Sequence, residues 1–339
     1  MKVTWYIKNL SHSLSDKLKN ALRLRSYNYD SVTTSTWNRC LQLIPYLKKM
    51  KIKCQIDDGS DLNTDIGILI RWQDESAFDL VNRLRDKKVK TVLDLCVNYF
   101  DEAGPFPGGH GVTPIQVKAV KKTARVVDRI TCGSEYIRTK AKLFDSKALY
   151  LPESIDYKHF RFQKNKQDFD KPILMAIWSG QPEKSVEVAM LQHKLKTRQI
   201  PLTIISEKKP IMPHNYNYIP WSYYSFPKSI LSGDFCISPR RADNTYDLGH
   251  SHFKIGAFMS QGVPALAAPL PSYKELIMAT GAGRICESDV EWEIALNEIL
   301  ENRKRLWEWS QAAYEGMKEY STESVAGKYA KFFQELLDG

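Results

Sequence analysis

Short apolar runs alternate with amphipathic stretches along this chain. The runs that predict strands in its first part are "VTWYI" (3–7), "KIKCQI" (51–56), "IGILI" (66–70), "KTVLDL" (90–95), "RITCG" (129–133) and "ALYLP" (148–152). Helical spacing of apolar residues predicts helices between them, over roughly 36–50, 75–87, 114–127 and 134–144. This alternation is typical of a parallel, doubly wound α/β sheet.

The same rhythm restarts after a polar stretch, "KHFRFQKNKQDFDKP" (158–172), which predicts a linker. The later strand runs are "ILMAIW" (173–178), "LTIIS" (202–206), "FCISP" (235–239) and "PALAA" (264–268). The later helices are predicted over 183–198, 252–261, 272–279 and from 289 onward. We therefore expect two tandem α/β domains, spanning residues 1–165 and 166–319.

The end of the chain predicts one more amphipathic helix, over 322–337. Its apolar stripe consists of Val325, Tyr329, Phe332, Phe333 and Leu336. Such a stripe needs an apolar partner, and the helix alone does not indicate which domain provides it.

Composition narrows the class of protein. The 339 residues carry 49 Lys and Arg against 39 Asp and Glu, so the net charge is +10 and favours an anionic partner. Nucleic acid, an anionic membrane surface and a phosphorylated substrate all fit that charge. No apolar run reaches the ~18 residues of a membrane span, and "MKVTWYIKNL" is too polar for a secretory signal. We expect a cytoplasmic protein, peripheral at most to the inner membrane face.

Two arginines follow a predicted strand in "DFCISPRRADNTYDLGHSHFK" (234–254), namely Arg240 and Arg241. Ligands of open α/β sheets bind beyond the carboxyl ends of strands, where arginine suits a diphosphate. Downstream, Gly262 is placed to end a helix and Pro264 to prevent its continuation. A solvated loop before a plain helix–turn–strand unit is the alternative interpretation.

The segment "FKIGAFMSQGVPALAAPLPSYKELI" (253–277) resembles the "K-x-x-E-y-M-A-x-G-x-P-v-i-a…y-x-E-l-i" segment of GT-B glycosyltransferases, family-4 type (glycosyl transferases group 1). The matching positions are Lys254, Met259, Gly262, Pro264, Tyr273 and Glu275. Further segments at 20–26, 130–156 and 289–300 resemble other parts of that family in the same order.

This resemblance implies the GT-B fold, two facing Rossmann-like domains with parallel sheets. It also implies that the second domain holds a UDP- or GDP-linked nucleotide sugar, and that helix 320–339 packs back on the first. The implied reaction moves the sugar to a saccharide or lipid-linked acceptor in surface glycan synthesis, usually without a metal. No cofactor beyond the donor substrate is expected.

The strand-end position of the arginines, the resemblance, and the polar residues near the departure from the family pattern together give the candidate donor-binding residues. They are Gly180, Lys184, Arg240, Arg241, Ser251, His252, Lys254, Tyr273 and Glu275. The family commonly has two glutamates eight residues apart, but here Gly249 and Ala257 occupy those positions. Neither can bond a sugar or ribose hydroxyl, so the activity depends on other nearby polar residues.

The Gly- and Pro-rich loop "DLCVNYFDEAGPFPGGHGVTP" (94–114) follows a strand of the first domain and is expected to shape the acceptor side of a cleft. The acceptor-side candidates are Asn98, Arg23 and Arg25. The catalytic candidates Asp101 and His110 are chosen because an attacking hydroxyl needs a base within reach. His250 is a catalytic candidate because a histidine near the diphosphate would offset the charge that develops on the leaving group. Asp94 is expected to be structural, and the "D-x-D" at 168–170 falls in the linker rather than at a metal site.

Two alternatives remain open from the sequence. One is a nucleotide-sugar epimerase of the same fold, which would share the donor site. The other is a degenerate, non-catalytic protein or a nucleic-acid binder. The sequence disfavours nucleic acid because no recognition motif is present and the lysines are dispersed.

Overall fold

The computed structural model describes residues 1–10, 34–104 and 111–339 of the chain. Within these residues the strands form two sheets of six, and every neighbouring pair of strands is parallel. The predicted α/β class with two parallel sheets is confirmed.

The first sheet has the order β2-β1-β3-β4-β5-β6. Its strands are β1 (Lys2–Ile7), β2 (Lys53–Asp57), β3 (Ile66–Ile70), β4 (Lys90–Leu95), β5 (Arg129–Cys132) and β6 (Leu149–Tyr150). The helices around it are α1 (Thr34–Thr36), α2 (Ile44–Lys49), α3 (Glu75–Asp86), α4 (Pro114–Ala124) and α5 (Glu135–Ala141), with a π-helical turn over Trp37–Leu41.

The second sheet has the order β12-β11-β10-β7-β8-β9. Its strands are β7 (Ala176–Ser179), β8 (Leu202–Ser206), β9 (Asn217–Pro220), β10 (Phe235–Ser238), β11 (Ala265–Ala267) and β12 (Gly283–Ile285). The helices that follow β7 are α6 (Ser185–Thr197), α7 (Phe226–Ile230), α8 (Thr245–Leu248), α9 (Phe253–Met259), α10 (Pro271–Thr280), α11 (Asp289–Glu301), α12 (Arg303–Gly316) and α13 (Thr322–Asp338).

Strand order places a topological switch point in the second sheet. The chain runs from β7 to β8 and β9 on one side, then returns to β10 on the other side of β7. The loops after β7 and β10 therefore diverge and leave a crevice at the carboxyl ends of these two strands, where such sheets bind ligands.

The terminal helix α13 packs on the first sheet. All five residues of its predicted apolar stripe are buried, in one cluster with Val3 and Trp5 of β1. The rings of Trp5 and Phe333 meet edge to face with centroids 6.0 Å apart. Burial of each such side chain contributes roughly 1.5–3 kcal/mol.

Local chemistry sets several element ends. Gly262 has φ +75°, as predicted, and a Cβ there would lie 2.9 Å from the Ser310 hydroxyl. Thr113 and Gln116 form a capping box at the start of α4, with Pro114 in its first turn. Such turn and capping patterns can be recognised in the sequence because they depend on residues close together in the chain.

Some sequence predictions were wrong in detail. The helix expected over 36–50 is broken into the π-helical turn and α2, since Pro45 lacks the N–H that a continuous helix needs. The linker at 158–172 contains a 3-10 turn, Lys166–Phe169, that buries the Phe169 side chain. Strand β9 was missed because its residues are partly exposed at the sheet edge, so the strand lacks an apolar run.

Candidate functional site

A cavity of about 420 Å³ lies between the two sheets, over the switch point of the second. Residues from both halves line it, including Asn38 and Glu153 from the first and Lys184, Arg240 and Lys254 from the second. A cleft of this size accommodates a small organic ligand.

Three cations converge on the side of the cavity nearest the switch point. Lys184 follows β7, Arg240 follows β10, and Lys254 lies on α9. Arg240 is only 7% exposed, and its Nε lies 3.5 Å from a carboxylate oxygen of Asp247.

The Arg240 guanidinium is incompletely paired. Its Nε and Nη1 are buried and have no hydrogen-bond acceptor among the described residues. Buried charged donors are normally hydrogen-bonded, and leaving one unmatched is costly. An anionic group in the cavity would supply the missing acceptors.

Mutual repulsion and burial tune the other cations. Burial, and then the positive charge of Arg240, lower the pKa of Lys254 to about 7. The same two causes lower the pKa of Lys184 to about 8. A bound anion would reverse the repulsion and raise both pKa values, so the cluster is suited to a phosphate-like ligand.

His250 also lines the cavity and is neutral there. Its pKa lies well below the usual value because of burial and the charge of Arg240. The Nδ1 atom is 3.2 Å from the carbonyl oxygen of Tyr246, which can only accept, so Nδ1 carries the proton. The other ring nitrogen, Nε2, is therefore a hydrogen-bond acceptor.

Trp178 of β7 supports both Gly180 and Lys254. The Lys254 ammonium lies 4.6 Å from the centre of the buried indole ring. A Cβ on Gly180 would lie only 2.5 Å from that ring, so a side chain at this cavity-lining position would displace it. The glycine predicted for close ligand approach is also required by the packing of Trp178.

Aromatic side chains form the end of the cavity beyond β8 and β9. Trp221 and Tyr223 line it, together with His159 and Phe160. The His159 ring stacks on Tyr223 at 3.9 Å with the two planes 6° apart. Sequence analysis missed this group because its members are distant in the chain and belong to no motif.

Glu153 is a second feature that the sequence analysis missed. It is 5% exposed, lines the cavity and accepts a 2.8 Å hydrogen bond from the Ser251 hydroxyl. Burial raises the pKa of its carboxyl group, although Arg39 opposes that effect. The only indication of Glu153 in the sequence is a carboxylate immediately after Pro152, at the end of the last predicted strand of the first domain.

The predicted residues fall into three groups. The structure brings Gly180, Lys184, Arg240, His250, Ser251 and Lys254 together in the cavity lining. It does not bring Asn98, Asp101, Arg241, His252, Tyr273 or Glu275 to that lining. His110, Arg23 and Arg25 lie outside the described residues.

In the first half of the chain, Asn98 and Asp101 shape a loop. The Asn98 amide donates to Asp101 at 3.0 Å, and the same carboxylate pairs with Lys140 at 2.6 Å. Asp101 is thus occupied by a cation outside the cavity, which explains why it does not face a ligand there.

In the second half, Arg241 is exposed and pairs with Asp243 at 2.7 Å. Tyr273 is fully buried in the apolar core, with its hydroxyl 3.4 Å from that of Ser238. Glu275 lies at the surface of α10, which contacts α5, and partial desolvation followed by the charge of Glu135 raises the pKa of its carboxyl group to about 7.

His252 is buried between the two halves. Its Nδ1 lies 3.4 Å from the Tyr150 hydroxyl, and its ring packs edge to face on Tyr320 at 4.5 Å. Burial lowers its pKa to about 4, so the ring is neutral at physiological pH. These contacts place His252 in the packing between the halves.

Gly249 lies at a close contact between the two halves. A Cβ on it would lie 2.8 Å from the Cβ of Asn98, and its carbonyl accepts from Ser134 at 3.0 Å. The loop of the first half therefore occupies the space that a glutamate at this position would need. Ala257 lines the cavity and adds no polar atom there.

Gly249→Ala is expected to destabilise the protein by about 1–3 kcal/mol, because the added methyl group overpacks this contact. Gly327→Ala is the matched control, since nothing lies within 4 Å of a Cβ at that helical position. The control should be neutral or stabilise by up to about 1 kcal/mol. Denaturant unfolding measures both, and equal effects would refute the close approach at Gly249.

Neither metal clusters nor spanning helices occur in the described part of the chain. No group of three or more His, Cys, Asp or Glu side chains there is arranged to hold a metal ion. No helix over residues 1–10, 34–104 and 111–339 is long and apolar enough to cross a membrane.

Comparison with known proteins yields structural similarity only. No family model and no curated protein matches the chain. Sucrose-phosphate synthase from Thermosynechococcus elongatus superimposes with a TM-score of 0.63 at 9% identity, covering 100% of this chain and 99% of that one. Anabaena HepE in complex with UDP gives 0.67 at 9%, covering 99% and 100%.

A third similar structure is AviGT4, a glycosyltransferase involved in avilamycin A biosynthesis. It gives a TM-score of 0.61 at 10% identity, covering 100% of this chain and 98% of that chain. These identities are low, but the coverage is nearly complete in every case. The chain therefore has the GT-B fold, as the resemblance implied.

Proposed function

We propose that this GT-B protein is a glycosyltransferase that moves a sugar from a UDP- or GDP-linked donor to a saccharide or lipid-linked acceptor. The observation that carries the proposal is Arg240, a buried guanidinium with unmatched donors that lines the cavity together with Lys184 and Lys254. Its place at the switch point is where a sheet of this order binds an anionic ligand.

The similar structures support this choice of ligand. HepE has been solved with UDP and glucose, and a mutant of TarM from S. aureus with fondaparinux, α-GlcNAc-glycerol and UDP. In the present chain, the cation cluster matches a diphosphate and the aromatic end of the cavity matches a planar base. We also propose that residues 1–165 form the acceptor domain, 166–319 the donor domain, and 320–339 the helix returning to the first.

The three cations would promote departure of the nucleoside diphosphate. As the bond between the sugar and the phosphate breaks, negative charge develops on the phosphate oxygen. Lys184, Arg240 and Lys254 are already placed to stabilise that charge, without a metal ion in the step.

His250 and Glu153 are the proposed general bases that would accept the proton of the attacking acceptor hydroxyl. Both line the cavity, and each presents an acceptor for a hydroxyl proton: a neutral imidazole nitrogen and a carboxylate. Asp101 is engaged by Lys140 and is not part of this proposal. His110, Arg23 and Arg25 stay predictions.

Incubation with UDP- and GDP-sugars, with and without saccharide acceptors, tests the function. We expect a new glycoside by mass spectrometry only when donor and acceptor are both present. Conversion of the donor to another nucleotide sugar without acceptor would indicate an epimerase instead. Turnover of no donor by the folded protein would contradict the proposal.

Donor affinity is expected to fall as pH rises above 7. The bound diphosphate favours protonated lysines, and the pKa values of Lys254 and Lys184 are about 7 and about 8 in the free protein. Each proton taken up on binding weakens affinity by up to about tenfold per pH unit above these values. A nucleotide sugar is the right probe because its diphosphate does not titrate in this range.

Titration of the nucleotide sugar at pH 6, 7, 8 and 9 measures this dependence, with the pH values set by the two lysines. Lys254→Arg should remove the part of the pH dependence of donor affinity that comes from Lys254, since arginine stays charged throughout this range. A flat profile for the wild-type protein would show that these lysines do not meet the diphosphate.

A further inference from the structure

Most of the net charge of the chain comes from one short region. Residues 114–147 contain nine Lys and Arg and three Asp and Glu, a net of +6, whereas the whole chain has 49 and 39, a net of +10. This region includes helices α4 and α5 of the first sheet and lies outside the cavity lining.

Helix α4 presents one mixed apolar and basic stripe. Ile115, Lys118, Lys122 and Arg125 are spaced by three, four and three residues, so they share one face of the helix. Ile115 is 75% exposed, Lys118 and Arg125 are also exposed, and Lys122 is half-buried beside Glu75. The stripe extends about 15 Å along the surface.

The stripe continues beyond α5. The Arg125 guanidinium lies 5.4 Å from the centre of the Phe144 ring, which brings the end of α4 next to Leu143. Leu143 is 83% exposed, and Lys142 and Lys147 beside it are also exposed. We call this surface the basic face; it consists of Ile115, Lys118, Lys122, Arg125, Lys142, Leu143 and Lys147.

The cations of the basic face are mostly unneutralised. Across the described residues, only Lys122 of this set forms an ion pair, with Glu75. A single exposed lysine is common on protein surfaces. Here several cations surround two exposed aliphatic side chains, Ile115 and Leu143, and packing within the protein does not account for this combination.

We propose that the basic face docks the protein on an anionic lipid bilayer. Lysine and arginine are attracted to anionic headgroups, and exposed Ile115 and Leu143 are suited to insertion among the headgroups. Binding to nucleic acid would use the charge but leave both aliphatic side chains in water. The reason for docking, access to a lipid-linked acceptor, rests on the proposed function. The docking itself is argued only from the residues of the basic face.

One end of the basic face lies near the loop that follows the cavity-lining residues Cys96 and Val97. The loop that begins at Asn98 contacts α8 through the 3.0 Å hydrogen bond from Thr245 to the Glu102 carbonyl. That loop closes where Ala103 pairs with Val112, two residues before α4 begins. Docking by this face would hold this loop, which the sequence analysis assigns to the acceptor side, near the membrane where a lipid-linked acceptor resides.

Vesicle sedimentation with the full chain tests the proposal. The probes are phosphatidylcholine vesicles with and without about one-third phosphatidylglycerol, at low and high salt. We expect binding only to the anionic vesicles, weakened by salt. Lys118→Gln/Lys142→Gln should reduce partitioning roughly twentyfold, at about fivefold per lysine.

The matched control is Lys87→Gln/Lys166→Gln, which removes two exposed lysines outside the basic face. It should change partitioning by less than about twofold. Ile115→Ser/Leu143→Ser should weaken binding while keeping its salt dependence, because only the inserted apolar area is lost.

Three outcomes would overturn the proposal: no binding of the wild-type chain to anionic vesicles, equal losses in the control variant, or binding to a nucleic-acid duplex but not to vesicles. Nucleotide binding measured on the same variants separates this proposal from the proposed function. Variants that lose vesicle binding should bind donor unchanged. Vesicle binding without any nucleotide binding would leave the basic face standing and refute the transferase.

Discussion

Arg240→Ala is expected to weaken binding of the nucleoside diphosphate by at least about 100-fold. The wild-type guanidinium has two buried nitrogens, Nε and Nη1, without an acceptor among the described residues. If both bond the diphosphate, two charge-assisted hydrogen bonds of about 1.5–3 kcal/mol each disappear with the side chain. The dissociation constant from ligand-dependent shifts in unfolding temperature measures this loss.

Arg241→Ala is the matched control for that variant. The neighbouring arginine is exposed, pairs with Asp243 and does not line the cavity. Its removal should change the dissociation constant by less than about twofold, as expected of a surface ion pair. If Arg241→Ala weakens binding as much as Arg240→Ala, the anion is held outside the cavity and the proposed site is misplaced.

Arg39→Ala is expected to lower the free energy of unfolding by about 3–5 kcal/mol, because it leaves Asp94 as an unpaired buried carboxylate. Arg39 is fully buried, and its Nε and Nη2 bond the two oxygens of Asp94 at 2.8 and 2.5 Å. Asp94 also accepts from the Thr131 hydroxyl at 2.6 Å, so the pair connects β4 to β5 and to the π-helical turn. Denaturant unfolding of the full chain measures the change.

The double variant Arg39→Leu/Asp94→Leu provides the control. Replacing both partners with apolar side chains removes the unpaired charge, so the double variant should be more stable than Arg39→Ala. The donor site lies outside this pair, and nucleotide affinity of the folded fraction should be preserved. A loss below about 1 kcal/mol for Arg39→Ala would mean that the ion pair is solvated rather than buried.

The sequence predicted most of what depends on local pattern. Apolar runs predicted ten of the twelve strands found in the described part of the chain, and Gly262 and the α13 stripe behaved as their spacing required. The sequence also predicted the cluster of Lys184, Arg240 and Lys254, because each residue follows or adjoins the end of a predicted strand or helix near the same sheet edge.

The parts that were missed depend on contacts between distant residues. Arg39 and Asp94 are 55 positions apart, and nothing in either segment alone indicates that they pair. The sequence showed that Gly249 stands where glycosyltransferases of the family-4 type commonly have a glutamate, but it did not show why. In the structure the Cβ of Asn98 fills the space next to Gly249 that a side chain would need. Arg241 and Arg240 are neighbours in sequence, but only the fold shows that one faces the cavity and the other faces solvent.

Calorimetric titration with UDP, GDP, uridine and guanosine tests the central claim most directly. If the cation cluster holds a diphosphate, UDP or GDP should bind at least about 100-fold more tightly than its own nucleoside, since only the diphosphate meets the acceptor-deficient Arg240. Equal affinity for a nucleotide and its nucleoside, or no heat with either diphosphate from folded protein, would contradict the account.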